Sequence, residues 1–141
     1  MIAYLDSSVV VRVVLKQTPR LTEWHDITVG VSSAIAGVEC GRAIDRHARA
    51  GGLGVETGRN AGIAIREILA RIDLAAVDDV VLTRAAGSFP ILLRSLDAIH
   101  LATALMYRDA QPDDEPPIRF ATHDIRLATA ARALGFDVIG T

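Results

Sequence analysis

The sequence predicts an α/β protein in which short strands alternate with helices and pair in a mostly parallel sheet. Short apolar runs recur along the chain, and each is followed by polar capping residues and then by apolar residues at helical spacing. Strands that alternate with helices need crossover connections, which favour parallel pairing and a layered sandwich. The 141 residues, half of them hydrophobic, are enough for a single domain over residues 1–141.

Five short segments have the composition of buried strands. The first, Ile2–Leu5, is wholly apolar and stops at the polar triplet Asp6, Ser7 and Ser8, which is typical of a helix start. The last strands follow a loop at 111–117 that is rich in proline and acid, which we place on the surface. The other four predicted strands cover residues 28–31, 74–77, 118–121 and 136–139.

Helices are predicted between these strands, with glycines as stop signals after two of them, at Gly51 and Gly135. Residues 9–15 are rich in valine, which favours strands, but the capping triplet before them favours a helix. A short helix from Pro19 to Trp24 and one from Asp78 that ends by Gly87 are also predicted. The remaining helices cover residues 34–50, 56–71, 96–107, with Ser95 as the expected cap, and 125–134.

Composition excludes several classes of protein. Arg12 interrupts the most apolar N-terminal stretch, so we expect no membrane span, and Asp6 falls where a signal peptide needs its apolar centre. The single Cys40 cannot form an intramolecular disulfide, which favours a cytoplasmic protein. The net charge of −2 predicts no basic nucleic-acid surface. However, 14 of the 15 basic residues are arginine, whose guanidinium group binds phosphate through two hydrogen bonds and is better suited to it than lysine.

Four carboxylates fall at the starts of predicted helices. Asp6 and Asp124 each follow a predicted strand, and the carboxyl ends of parallel strands are where ligands bind. Glu39 lies in the first two turns of the helix after the second strand, and Asp97 lies in the first turn of the most apolar helix. We therefore expect these four side chains to converge on one edge of the sheet.

Each acid also has a purely structural interpretation. Asp6 and Asp124 could be helix N-caps, and Asp97 could complement a helix dipole. Glu39 could form an exposed ion pair with Arg42 or Arg46, which follow it on the same helix. Taken together, convergent carboxylates would repel one another unless they bound a cation. A ligand set made of oxygen atoms selects Mg²⁺ or Mn²⁺, ions suited to phosphate chemistry.

Several segments in order along the whole chain resemble a PIN domain, and more narrowly the VapC toxins of bacterial toxin–antitoxin pairs. The resemblance is carried by Tyr4-Leu5-Asp6-Ser7-Ser8, by the single Glu39, by residues 96–104 around Asp97 and by residues 122–131 around Asp124. The segments around Asp97 and Asp124 are the more specific ones. The ending 134–138 also fits the pattern.

This resemblance implies a three-layer α/β/α fold and a metal-dependent endoribonuclease. Asp6, Glu39, Asp97 and Asp124 would be the catalytic and metal-binding residues for one or two Mg²⁺ or Mn²⁺ ions, with Asp6 and Asp97 the firmest ligands. Ser7 and Thr122 match supporting hydroxyl positions that orient a ligand or a water. The partners that the family implies are an RNA substrate, a small cognate antitoxin and a second copy in a homodimer.

Two other kinds of function stay open at this point. A phospho-receiver module also has an acidic Mg²⁺ pocket, but it needs a lysine near the acids, and the only lysine is Lys16. A non-catalytic PIN-like module would use the scaffold for protein contacts alone. His100, three residues after Asp97 on an apolar helix, is interpreted as a structural histidine, and His123 is given no role.

Overall fold

A computed structural model describes residues 1–141 as six α-helices, five strands and one 3-10 helix at Thr22–Asp26. The strands are β1 (Ile2–Leu5), β2 (Val29–Ser33), β3 (Asp73–Ala75), β4 (Arg119–Ala121) and β5 (Val138–Ile139). The helices are α1 (Ser7–Val14), α2 (Ala36–Arg49), α3 (Val55–Leu69), α4 (Asp79–Ala85), α5 (Ser95–Ala110) and α6 (Ile125–Ala133). The prediction of an α/β fold is therefore confirmed.

The five strands form one sheet in the order β3-β2-β1-β4-β5, and every pair is parallel. The central strand β1 pairs through Tyr4 with Val31 of β2 and with Phe120 of β4. Parallel pairing brings the carboxyl ends of β1, β2 and β4 to one edge of the sheet. Asp6, the start of α2 and the segment before α6 all follow from that edge.

Two apolar clusters lie on opposite faces of the sheet, as the alternation of side chains along β1 requires. Tyr4 packs on one face with α5 and α6, where Leu101 and Leu127 are completely buried. Leu5 packs on the other face with α1, α2 and α3. Helices therefore cover both faces, which confirms the three-layer arrangement.

The valine-rich segment after Asp6 forms helix α1 despite its preference for strands. Val9 and Val10 are fully buried in the second cluster, so tertiary packing outweighs intrinsic propensity here. No helix of the molecule combines the length and the hydrophobicity that crossing a bilayer would require.

Several predicted boundaries differ from the observed ones. Helix α1 begins two residues earlier than expected, and α5 extends to Ala110 instead of 107. The expected cap at Ser95 is wrong, because Arg94 holds the N-cap position and Ser95 is already helical. The helix expected at residues 19–24 is instead the 3-10 helix Thr22–Asp26, and the last strand is shorter because Phe136 leaves the sheet to pack against Phe120.

Gly30 in β2 is a position where only glycine fits. A Cβ atom there would lie 2.7 Å from the Ile72 Cγ2 atom and 3.4 Å from the Leu5 Cδ1 atom. We expect Gly30→Ala to lower the free energy of unfolding by about 1–3 kcal/mol, measured by urea denaturation. Gly41→Ala is the matched control, since a Cβ there meets nothing and alanine favours helix α2 by about 0.5–1 kcal/mol. Equal effects of the two substitutions would contradict this packing.

Candidate active site

The site begins where β1 and β4 end side by side. The backbone N–H of Asp6 donates to the Ala121 carbonyl oxygen at 3.0 Å, which holds the residue after β1 against the last residue of β4. Asp6 is only 5% exposed, so its carboxylate needs polar partners in the protein. The partners come from both neighbouring segments, because the two strand ends are adjacent.

Two hydroxyl groups fix the Asp6 carboxylate. Its Oδ2 atom accepts hydrogen bonds from Thr122 Oγ1 at 2.8 Å and from Ser8 Oγ at 2.5 Å, while Ser7 Oγ lies 3.5 Å from Oδ1. Asp6 occupies the N-cap position of α1, but its side chain makes no capping hydrogen bond. Its interpretation as an ordinary N-cap is therefore wrong, because the carboxylate turns toward β4 and away from the helix backbone.

Glu39 reaches the same edge from α2. Its Oε2 atom accepts a short hydrogen bond from His100 Nε2, and that nitrogen also lies 3.7 Å from Asp6 Oδ1. The alternative that Glu39 pairs with a following arginine is wrong, since Arg42 pairs with Asp45 at 2.6 Å and Arg46 has no acidic partner. Glu39 and Asp6 therefore approach one imidazole from two different elements.

The other nitrogen of this histidine is also satisfied. His100 Nδ1 lies 2.8 Å from the Tyr4 hydroxyl, and both rings are fully buried. Burial opposes the charged form of His100, but the hydrogen bond to Glu39 and the charge of Asp6 outweigh it and raise its pKa. His100 is thus the hydrogen-bonding partner that lies between Glu39 and Asp6.

Asp97 lies in the first turn of α5 and is partly exposed. Burial raises the pKa of its carboxyl, and the negative charges of Asp124, Asp6 and Glu39 raise it further. Asp97 is therefore close enough to the other three carboxylates to feel their charges, and none of the four pairs with an arginine or lysine. The predicted convergence of Asp6, Glu39, Asp97 and Asp124 at one edge is consistent with these contacts.

Asp124 has a structural role of its own. Its Oδ1 atom accepts a hydrogen bond from the Leu127 backbone N–H at 2.9 Å, so it is the N-cap of α6. The side chain is exposed, and its Oδ2 atom accepts no hydrogen bond from the protein. The capping interpretation is confirmed for Asp124, and it leaves one oxygen free for a ligand.

The four acids do not form a ready-made metal cage. As the side chains stand, no group of three or more His, Cys, Asp or Glu residues is arranged to hold a metal ion. His100 occupies the hydrogen-bonding position between Asp6 and Glu39. The assignment of Asp6, Glu39, Asp97 and Asp124 as metal ligands stays a prediction, while their donor chemistry fits a hard divalent cation.

Comparison with known proteins decides the family. Over 96% of its length the chain is 37% identical to ribonuclease VapC46 of Mycobacterium tuberculosis, covering 95% of that protein. It is 34% identical to ribonuclease VapC35 of the same organism over 96% of the chain and 94% of the relative. The chain belongs to the VapC family. Ribonuclease VapC47 of Mycobacterium tuberculosis is 29% identical over 94% of the chain. No protein-family model matches the chain itself.

Three residues of this VapC chain make contacts in the site that the sequence did not predict, namely His100, Tyr4 and Ser8. His100 is a satisfied buried histidine as expected, but its contacts with Glu39 and Asp6 were not predicted. Its spacing of three residues from Asp97 on an apolar helix was the one available signal, because i and i+3 share a helix face. Tyr4 and Ser8 were missed altogether, since a strand tyrosine and a capping serine have common structural roles.

Thr122 ties two acids of the VapC site together. Its hydroxyl donates to Asp6 Oδ2 at 2.8 Å and accepts the Asp124 backbone N–H at 3.0 Å. We expect Thr122→Val to lower the free energy of unfolding by about 1–3 kcal/mol, because the buried Asp6 carboxylate loses one of its two hydroxyl donors and the Asp124 backbone N–H loses its acceptor. Thr129→Val is the matched control, since that exposed hydroxyl bonds only the Ile125 carbonyl of its own helix. Equal losses in urea denaturation would contradict the buried network.

Proposed function

We propose that this chain is an endoribonuclease that hydrolyses RNA phosphodiester bonds with the help of Mg²⁺ or Mn²⁺, and that it is the toxin of a toxin–antitoxin pair. The observation that carries the proposal is the placement of four carboxylates at one sheet edge, where none pairs with an arginine and three of them add to the burial that raises the pKa of Asp97. A structural cluster of acids without a ligand would be unfavourable. The ribonuclease names of the VapC relatives support RNA as the substrate.

Asp6, Glu39, Asp97 and Asp124 would hold the divalent cation. All four offer carboxylate oxygens, the ligands that Mg²⁺ and Mn²⁺ prefer. Burial and then the charges of the other three acids raise the pKa of Asp97, and a bound cation would offset those negative charges. When bound, such an ion polarises a phosphodiester and generates a nucleophilic water at neutral pH. The remaining chemistry belongs to the side chains of the protein.

The hydroxyl groups and His100 position the carboxylates. Thr122 and Ser8 donate to the same oxygen of Asp6, so the other oxygen faces the site in a fixed orientation. His100 holds a proton at Nε2 toward Glu39, and the Tyr4 hydroxyl at Nδ1 fixes the plane of the ring. Ser7, whose hydroxyl lies at the limit of hydrogen bonding to Asp6, is free to orient a ligand or water.

The proposed toxin function implies three binding partners for the protein. RNA is the substrate, a small cognate antitoxin blocks the acidic edge, and a second copy of the chain completes a homodimer in the cytoplasm. Exposed apolar side chains such as Leu92 and Val55 are available for protein contacts.

An RNA cleavage assay on the purified chain tests the proposal. We expect cleavage of single-stranded RNA with Mg²⁺ or Mn²⁺, complete inhibition by EDTA and recovery when the cation is restored in excess. Product ends should be those of hydrolysis at internal bonds, seen with RNA labelled at either end. Cleavage that continues undiminished in EDTA, or no cleavage with any divalent cation, would refute the proposal.

A further inference from the structure

A pocket of about 520 Å³ opens beside the acidic edge, between helices α1 and α2. Ser7, Ser8 and Glu39 line it on the side of the proposed active site. Arg12, Arg42 and Arg46 line it as well, and they project from the same two helices. The pocket is therefore continuous with the acids, and its three arginines lie among apolar side chains such as Val11 and Val38.

Two of these arginines lack a compensating carboxylate. Arg12 donates only to the Pro19 carbonyl oxygen, at 3.3 Å, and Arg46 forms no ion pair. Arg42 is already bound to Asp45. Glu39 is the only acidic side chain that lines the pocket, and it is bound to His100. Uncompensated guanidinium groups in a concave surface attract anions, and phosphate most of all.

We propose that this pocket binds the phosphodiester next to the one that is cleaved, with Arg12 and Arg46 as its phosphate ligands. The inference rests on the proposed ribonuclease function and adds a subsite to it. A chain with net charge −2 and an acidic active site repels RNA at long range, so binding needs cations close to the site. The arginines of this pocket supply them where the RNA backbone leaves the acidic edge.

The position of the pocket favours RNA over an acidic peptide as its occupant. The lining residues Ser7 and Glu39 belong to both the pocket and the acidic edge, so a ligand that fills one continues into the other. RNA presents a phosphate at every nucleotide and can therefore reach the acids and the arginines together. An acidic peptide would bring carboxylates toward Asp6 and Glu39, which repel them.

Equilibrium binding of a short fluorescent single-stranded RNA between about 50 and 200 mM salt tests the subsite. We expect the double variant Arg12→Ala, Arg46→Ala to raise the Kd about tenfold at low salt and to flatten the log–log salt slope by about 1.4, the value for two phosphate contacts on a single strand. In cleavage assays its KM should rise while kcat stays within about threefold, because uniform binding is lost.

Two further variants separate charge from other effects. The matched control is Arg59→Ala, Arg66→Ala, which removes two exposed arginines of helix α3 that also lack acidic partners. It should change the Kd by less than about twofold, since neither residue lines the pocket. Arg12→Lys, Arg46→Lys keeps both charges and should restore most of the salt slope.

The outcomes distinguish the subsite from the ribonuclease proposal. If wild type cleaves RNA but the pocket variant matches the α3 control in Kd, salt slope and KM, the subsite is refuted and the ribonuclease stands. If wild type neither binds nor cleaves RNA, both fail. If the pocket variant keeps its RNA affinity but loses binding of a polyglutamate peptide, the pocket is a protein-docking site and the inference is wrong.

Discussion

Replacing Asp97 by asparagine should reduce the proposed metal-dependent RNA cleavage at least about a hundredfold, because one of the carboxylates that we propose to hold the cation is lost. Asparagine has nearly the same shape, so α5 should keep its start and its packing. The same variant should be more stable than wild type at pH 7 without divalent cations, because burial and the charges of Asp124, Asp6 and Glu39 disfavour the ionised Asp97. Single-turnover cleavage and urea denaturation measure the two effects.

The stability difference should depend on pH in one direction. The pKa of Asp97 is raised in the folded state, so its penalty is present at high pH and disappears as the carboxyl protonates. The advantage of Asp97→Asn should therefore shrink as pH falls from 7 through the range of that raised pKa. Asp113→Asn, on the exposed loop, is the control and should change neither activity nor stability. Full activity of Asp97→Asn would remove Asp97 from the site.

Replacing His100 by alanine should lower the free energy of unfolding by about 2–4 kcal/mol, the largest stability effect that we expect from this site. The change leaves a cavity and removes the partners of the buried Tyr4 hydroxyl and of Glu39. His25→Ala, at an exposed position, should change stability by less than about 0.5 kcal/mol. Urea denaturation at pH 7 measures both variants.

A double-mutant cycle with Tyr4→Phe separates the hydrogen bond from the cavity. Tyr4→Phe should lower the free energy of unfolding by about 1 kcal/mol in wild type, where the hydroxyl is hydrogen-bonded. In His100→Ala, where the hydroxyl has lost its partner, the same change should leave the free energy of unfolding unchanged or raise it. Additive effects of the two substitutions would show that the Tyr4–His100 bond contributes nothing.

Helical and strand periodicity predicted nearly every element, because burial on one face sets both the sequence pattern and the structure. Asp6 was placed correctly at the end of β1, since a short apolar run followed by capping residues marks a strand end. The direction of its side chain could not be predicted. Ser8 contributes to it locally, but it also depends on Thr122, more than a hundred residues away, which only the β1–β4 pairing brings near.

The contacts of His100 could not be predicted from the sequence either, because its partners are distant along the chain. Local sequence shows that His100 shares a helix face with Asp97, but its bond to Glu39 joins α5 to α2 across the sheet edge. The alternative ion pair of Glu39 with Arg42 does not form, because Asp45, three residues after Arg42, binds that arginine instead. Sequence patterns identify partners that are close along the chain, whereas the partners of a buried site are brought together by the fold from distant parts of the chain.

Crystals of the chain soaked in Mn²⁺ would test the central claim most directly, because the anomalous scattering of manganese locates the ion without assumptions about its ligands. The account predicts an anomalous peak at the carboxyl edge of the sheet, with oxygens of Asp6 and Asp97 at coordination distance. The peak should be absent from Asp97→Asn crystals treated in the same way. A wild-type map with no manganese at these carboxylates would contradict the account.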